Sequence, residues 1–163
     1  MTDERLGDGL WTALRRLPRG SGVVFRHYAT PAGERRALFR RVVRVARARG
    51  LLVIRAGARV GFGENGIHGA GRGLRTAPAH DRREAVAAMR RGADVLFVSP
   101  VFATRSHPGA TGLGQRTARK IVQGLPVVVI ALGGMDARRF RTLIGFNGWA
   151  AIDAWSGRSS GAK

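Results

Sequence analysis

The sequence contains no cysteine and no long apolar run. The first absence excludes disulfide bonds, thiolate metal ligands and a cysteine nucleophile, so any metal site would use oxygen or imidazole ligands. The second predicts no membrane-spanning helix, which would need roughly 18 to 20 apolar residues. The acidic start MTDERLGDGL also differs from a signal peptide. We therefore expect a cytoplasmic protein that does not associate with membranes.

Acidic residues are scarce, with 10 Asp and Glu against 29 Lys and Arg, which gives a net charge of +19. Such an excess of positive charge makes nucleic acid a candidate partner. Only Lys120 and Lys163 are lysines, so Arg supplies nearly all of the charge, as a GC-rich coding sequence would also produce. The arginines are scattered and do not interleave with aromatic residues, so a basic nucleic-acid-binding protein is a distant alternative. Small phosphorylated ligands fit the same charge.

Strand-like and helix-like segments alternate along the 163 residues. Seven strands are predicted, around Val24, Val53, Ile67, Thr76, Phe97, Val129 and Ala151. Helical spacing predicts a helix within Pro31 to Gly50, and DARRFRTLIGF predicts another. Asp81 and Glu84 have the spacing of a capping box before a helix over Arg82 to Arg91. Several strands are apolar throughout, which indicates a parallel sheet covered by helices, either a barrel or an open sheet.

Polar and glycine-rich loops follow the predicted strands, at the sheet edge where α/β proteins bind ligands. SPVFATRSHPGATGLG, residues 99–114, combines hydroxyl groups, one Arg, one His and three glycines after a buried strand. Gly133 and Gly134 stand before a predicted helix, where backbone N–H groups can approach a phosphate. A tight turn into that helix is the alternative interpretation of the two glycines.

Three segments together resemble the thiamine phosphate synthase family, which includes thiazole tautomerase relatives. They are AHDRREAVAAMRRGADVLFVSPVFATRSHPGATGLG, LPVVVIALGGMDARRFRTLIGFNGWAAIDAW and, more weakly, GVVFRHY. Order and spacing agree over roughly residues 20–155. The resemblance implies a TIM-type (β/α)₈ barrel. It also implies a transferase that joins a hydroxymethylpyrimidine pyrophosphate to a thiazole phosphate and releases pyrophosphate, using Mg²⁺.

The resemblance also implies a set of site residues. The catalytic ones are Arg26, Thr104, Ser106 and His107, and the phosphate-binding ones are Arg105, Gly133, Gly134, Ala151 and Ile152. His107 stands where the family usually has Lys, so a titratable group replaces a permanent cation. Asp153 stands where the family usually has Ser, and a carboxylate facing a phosphate is unfavourable unless it points away or pairs with Arg.

The metal ligands implied by the resemblance are missing. The family ends one strand in Asn-Asp and places a second Asp after the next, whereas this chain has Arg55, Ala56 and Gly57, and GIHGAGRG contains no carboxylate. The metal site is therefore unknown. Arg55 and Arg72 could contact pyrophosphate in place of the metal, together with the Arg of GVVFRHY. The alternative is a decayed or repurposed site that still binds thiazole phosphate or a related phosphate.

A tautomerase-like isomerase is a further alternative. The tautomerases carry a proton-transferring His at the position of Pro100, which has no such group. His80 or His107 would have to replace that His.

Residues 1–155 are predicted to form a single barrel domain, with a disordered tail over 156–163. MTDERLGD resembles the end of the family's first strand with the strand itself absent, so we expect Met1 to be an internal methionine of a longer reading frame. A barrel without its first strand would expose strand edges, which a partner or a second copy could cover.

Overall fold

The computed structural model describes residues 1–57, 62–104 and 111–155. They divide into two compact units. The first unit comprises Met1–Gly73 together with the residues that follow Ala151, and the second comprises Leu74–Ala151. All seven strands predicted from the sequence are present, three in the first unit and four in the second. The predicted tail lies outside the described residues, and the single domain over residues 1–155 stays a prediction.

The first unit is built on three parallel strands, β1 (Gly22–Phe25), β2 (Leu52–Ala56) and β3 (Gly66–His68). β1 pairs with β2, and β2 pairs with β3. Two helices, α1 (Gly9–Arg16) and α2 (Ala32–Ala48), accompany them, with 3₁₀ turns at residues 4–6 and 153–155. Helix α1 was not predicted from the sequence.

Helix α2 confirms the predicted helix between Pro31 and Gly50. Its buried apolar residues, Phe39, Val42, Val43 and Ala46, recur three and four positions apart, as one face of a helix requires. This face packs with β1 and α1 in a single apolar core. The helix ends where Gly50 takes a φ of +65°, a left-handed conformation that glycine adopts without steric strain.

The second unit contains four parallel strands, β4 (Leu74–Ala79), β5 (Val95–Val98), β6 (Val128–Leu132) and β7 (Gly148–Ala150), paired in that order. Its helices are α3 (Arg82–Arg90), α4 (Gly114–Val122) and α5 (Ala137–Phe140). Buried side chains of α3, α4, β5 and β6 form the core of this unit. No helix among the described residues has the length and apolarity to cross a membrane.

Two helix predictions in the second unit need correction. Asp81 caps α3 by accepting from the Glu84 N–H at 2.7 Å, but the Glu84 carboxylate accepts from the His80 N–H at 2.8 Å. The capping box is therefore shifted by one residue. The helix predicted over DARRFRTLIGF is a single turn, because after Phe140 the chain continues as tight turns, such as Leu143 N–H to Phe140 oxygen at 3.0 Å.

Candidate active site

The polar loop after β5 lies against the end of β6. The N–H of Val101 donates to Leu132 at 2.8 Å, and the N–H of Phe102 donates to Gly133 at 3.1 Å. Val101 itself is completely buried and packs with Ala131 and other residues of the second unit. These contacts fix the path of residues 99–104 beside the paired glycines, and the half-buried Thr104 ends the described part of the loop.

Gly133 and Gly134 fill positions that no other residue fits. Their φ angles are +92° and +58°, in the region that side-chain-bearing residues rarely adopt. A Cβ on Gly133 would lie 2.7 Å from the Pro100 Cα, and one on Gly134 would overlap the Ala103 carbonyl oxygen. The two glycines therefore allow the loops that follow β5 and β6 to approach within backbone contact.

Arg139 lies over this glycine turn, although the sequence analysis did not single it out. Its Nη1 donates to the Gly134 carbonyl, and its guanidinium carbon is 5.0 Å from the centre of the Phe102 ring. Asp136 caps α5 by accepting from the Arg139 N–H at 2.7 Å. The Asp-x-x-Arg spacing after a glycine pair was the available signal, since an N-cap fixes the residue three positions on.

Ala151 and Ile152 follow β7 and fall in different units. Ala151 ends the second unit, whereas Ile152 packs against the apolar core of the first. Asp153 interacts electrostatically with Arg5 in the first unit. The hydrogen bonds that Arg5 donates to Asp3 raise the pKa of Arg5 most, and the charge of Asp153 raises it further. Asp153 therefore has a cation near it, as the sequence analysis required for a carboxylate at this position.

Arg26 directly follows β1 in the first unit. Its N–H donates to the Thr2 hydroxyl at 3.2 Å, and its Nη1 is 3.8 Å from the Met1 sulfur. Burial lowers the pKa of His68, and the charge of Arg26 lowers it further, so these two side chains interact electrostatically. His68 ends β3, and sequence reasoning gave it little weight. The described first unit thus has a cation and an imidazole at the carboxyl ends of its strands.

Arg55 lies on the face of β2 that is turned toward α2. It pairs in register with Phe25, which belongs to the apolar core under that helix. Its Nε is 3.3 Å from Oε1 of Glu64, a carboxylate that the sequence analysis overlooked, and its Nη1 donates to the Gly57 carbonyl. Arg72 is exposed between β3 and β4. The pyrophosphate contacts predicted for Arg55 and Arg72 stay predictions.

Two buried groups hold the carboxyl ends of β1 and β2 in place. The buried Arg35 donates to the His27 carbonyl at 2.6 Å and to the Ala56 carbonyl at 2.8 Å. The His27 ring stacks on Phe25 and lies 3.1 Å from the Thr2 hydroxyl. Burial lowers the pKa of His27, so its neutral form is favoured. This network sets the backbone on either side of Arg26.

The described residues do not fit a magnesium site. They contain no group of three or more His, Cys, Asp or Glu side chains that could hold a metal ion. Glu64, which stands two positions before the segment GIHGAGRG, pairs with Arg55. We therefore derive no step through Mg²⁺. The predicted site residues Arg105, Ser106 and His107 lie outside the described residues.

Comparisons with known proteins agree on one family. Residues 76–155 match the thiamine monophosphate synthase family model. A thiamine-phosphate synthase from Pyrococcus furiosus is 34% identical over 83 residues, which are 50% of this chain and 40% of that protein. One from Chloroflexus aurantiacus is 35% identical over 79 residues, which are 47% of this chain and 37% of that protein. The matches thus span about two fifths of the length of these relatives.

The fold agrees over a longer stretch than the sequence. A solved thiamine phosphate pyrophosphorylase from Pyrococcus furiosus superposes with a TM-score of 0.78, covering 97% of this chain and 86% of that one at 22% identity. At that identity the match shows the fold alone, which is an α/β arrangement of parallel strands and helices. The family resemblance drawn from the sequence is confirmed: residues 76–155 of this chain match the thiamine monophosphate synthase family model.

Proposed function

We propose that this protein is a thiamine-phosphate synthase-type transferase in thiamine biosynthesis. It would join a hydroxymethylpyrimidine pyrophosphate to a thiazole phosphate and release pyrophosphate. The observation that carries the proposal is the backbone contact of Gly133 and Gly134 with Pro100 and Ala103, inside the segment that matches the family model. The named functions of the matched relatives support the same reaction.

The reaction needs charge stabilisation more than proton transfer. The bond between the pyrimidine methylene carbon and the pyrophosphate oxygen breaks, and its electron pair leaves with the pyrophosphate. The thiazole nitrogen then supplies the electron pair of the new carbon–nitrogen bond, giving thiamine phosphate. Negative charge grows on the leaving group, so fixed cations and an aligned acceptor lower the barrier.

We assign the ligand contacts unit by unit. Arg26 of the first unit would contact the pyrophosphate with its permanent charge. In the second unit, Thr104 and the backbone of Gly133 and Gly134 would contact the thiazole phosphate. The charge of Asp153 interacts with that of Arg5, which lessens the repulsion between Asp153 and a phosphate. Ala151, Ile152, Arg105, Ser106 and His107 keep the roles that the family resemblance implies.

The proposal also includes the barrel architecture, the class of substrate and the cellular location. We propose that the chain is a TIM-type barrel without its first strand, as the structural match and the parallel pairing of three strands in the first unit and four in the second support. The substrates would be small phosphorylated molecules in the cytoplasm. In this proposal, an uncovered strand edge would be the surface through which two copies associate.

One observation favours a second candidate function, a family member that binds thiazole phosphate without turnover. The described residues offer no carboxylate set for a metal, and the Glu64 carboxylate is taken up by Arg55. Without neutralisation of the leaving pyrophosphate the transfer step would be slow, whereas binding of the thiazole phosphate would persist.

A turnover assay separates the two candidates. The protein is incubated with both substrates, with and without Mg²⁺, and released pyrophosphate is measured. Turnover supports the transferase, and calorimetric binding of thiazole phosphate without turnover selects the second candidate. If neither substrate binds and the protein instead shows salt-sensitive binding to DNA, both candidates are wrong.

A further inference from the structure

We propose that Arg139 is the cation that binds the phosphate of the thiazole substrate in the second unit. This inference rests on the proposed function, because it names a residue of the same phosphate site. Among the phosphate-binding residues that the family resemblance implies, Arg105 is the one permanent cation, and it lies outside the described residues. Arg139 stands 34 positions after Arg105 in the chain.

The guanidinium of Arg139 is held at the glycine turn by two contacts. Its Nη1 donates to the Gly134 carbonyl, and its guanidinium carbon lies over the Phe102 ring, 5.0 Å from the ring centre. A Cβ on Gly134 would be 3.1 Å from the same Nη1, which places the charge directly beside the turn. A guanidinium fixed in this way loses little side-chain entropy when it binds an anion.

Most of the donors of Arg139 remain available at this turn. A guanidinium has five N–H groups, and the Gly134 carbonyl uses one of them. Arg139 is exposed, and among the described residues it forms no salt bridge. A phosphate accepts paired N–H bonds from such a group in the bidentate geometry that favours Arg over Lys.

Backbone donors stand beside this charge. Neither the Gly133 nor the Gly134 N–H donates a hydrogen bond to another described residue. Buried or half-buried backbone N–H groups normally have a partner, so a ligand oxygen or water would satisfy these two. Arg139 also offsets the negative end of the Gly134 carbonyl, which would otherwise repel an anion at the turn. Two backbone donors and one fixed guanidinium would supply the hydrogen bonds that phosphate oxygens accept.

The test compares Arg139→Gln with Arg138→Gln, a neighbouring exposed arginine whose loss changes the net charge equally. Thiazole phosphate and its unphosphorylated alcohol are titrated into each protein by calorimetry. We expect Arg139→Gln to weaken binding of the phosphate about 10-fold or more, because it removes charged hydrogen bonds. Arg138→Gln should change it less than about 2-fold. Affinity for the alcohol should be unchanged in both, and Arg139→Lys should recover part of the loss.

Two results would overturn the assignment. One is an equal loss of phosphate affinity in Arg139→Gln and Arg138→Gln, which would mean that only net charge matters. The other is an equal loss of affinity for the phosphate and the alcohol in Arg139→Gln, which would mean that Arg139 only shapes the turn.

Inorganic phosphate distinguishes failure of this inference from failure of the proposed function. If the unaltered protein binds inorganic phosphate, loses it in Arg139→Gln and shows no turnover, Arg139 is confirmed while the transferase is not. If the unaltered protein binds neither phosphate nor thiazole phosphate, the inference is wrong.

Discussion

The two units differ in the chemical groups that they place at the carboxyl ends of their strands. The second unit offers backbone: a left-handed glycine pair, a half-buried threonine and an arginine fixed over an aromatic ring. The first unit offers side chains: Arg26 and His68 at its strand ends, and Arg35 and Arg55, which donate to backbone carbonyls. The family model matches the second unit and the few residues after it. The difference teaches that the glycine turn is fixed by backbone requirements that the sequence shows, whereas the metal site that the resemblance implies depends on a few replaceable side chains.

Gly134→Ala should produce the largest effect, because it combines a left-handed φ of +58° with overlap of the Ala103 oxygen. We expect the free energy of unfolding to fall by about 2 to 4 kcal/mol. Gly124→Ala is the matched control, since Gly124 has a φ of +70° but nothing within 4 Å of a Cβ. Its loss should be about 1 kcal/mol in urea unfolding. Equal losses in the two variants would show that the close approach of the loops is unimportant.

Arg35→Met should have a comparable but smaller effect in the first unit. It leaves the carbonyls of His27 and Ala56 without their buried donor. The expected loss of unfolding free energy is about 2 to 3 kcal/mol. Arg36→Met, on the exposed face of the same helix, should change it by less than about 0.5 kcal/mol. A loss below that of the control would show that the Arg35 contacts contribute nothing.

Acidification should weaken the first unit through its histidines. The folded-state pKa values of His27 and His68 are both lowered from 6.5, mainly by burial. The unfolded chain therefore binds protons to these histidines more readily than the folded chain does. Their full contribution to the free energy of unfolding is present above the unfolded pKa of about 6.5, and it is lost as the pH drops from there through the lowered pKa values of the folded state. His27→Gln should flatten the curve of unfolding free energy between pH 7.5 and 5. A curve as steep as that of the unaltered protein would contradict this assignment.

The smallest effects are expected at the pair of Arg55 and Glu64. Glu64→Gln keeps the shape of the side chain and should change stability by less than about 1 kcal/mol, because the pair is partly solvated. Arg26→Gln should lower pyrophosphate affinity about 10-fold through loss of a charged contact, and Arg55→Gln should lower it less, because Glu64 already pairs with Arg55. A larger effect at Arg55 than at Arg26 would reverse this assignment.

Much of the fold could be predicted because its signals are local. Seven short apolar runs gave the strands, and the spacing of apolar residues gave α2. Helix α4 was missed, although Ala118, Ile121 and Val122 are buried on one face, because it lies between the glycine-rich loop and a proline. The helix after Gly134 was overextended, because its apolar residues continue into turns that close only through tertiary contacts.

The site could be predicted less completely than the fold. Gly133 and Gly134 could be proposed as site residues because a glycine pair before a helix is visible in the sequence, and their phosphate-binding role stays a prediction. Arg139 was missed although Asp136 and Arg139 have the spacing of a helix N-cap, because that spacing does not show that the guanidinium reaches Gly134. The Arg55–Glu64 pair was missed because it depends on a contact that spacing does not encode. Arg55 follows a strand pattern that fits either face, and only its register with Phe25 reveals which face it occupies.

Titration of thiazole phosphate in the presence of EDTA, compared between the unaltered protein, Gly134→Ala and Arg26→Gln, tests the central claim most directly. The account predicts binding that needs no Mg²⁺, that is lost in Gly134→Ala and that changes by less than about 2-fold in Arg26→Gln. Binding that survives in Gly134→Ala and is lost in Arg26→Gln would contradict it, since the phosphate would then depend on the first unit.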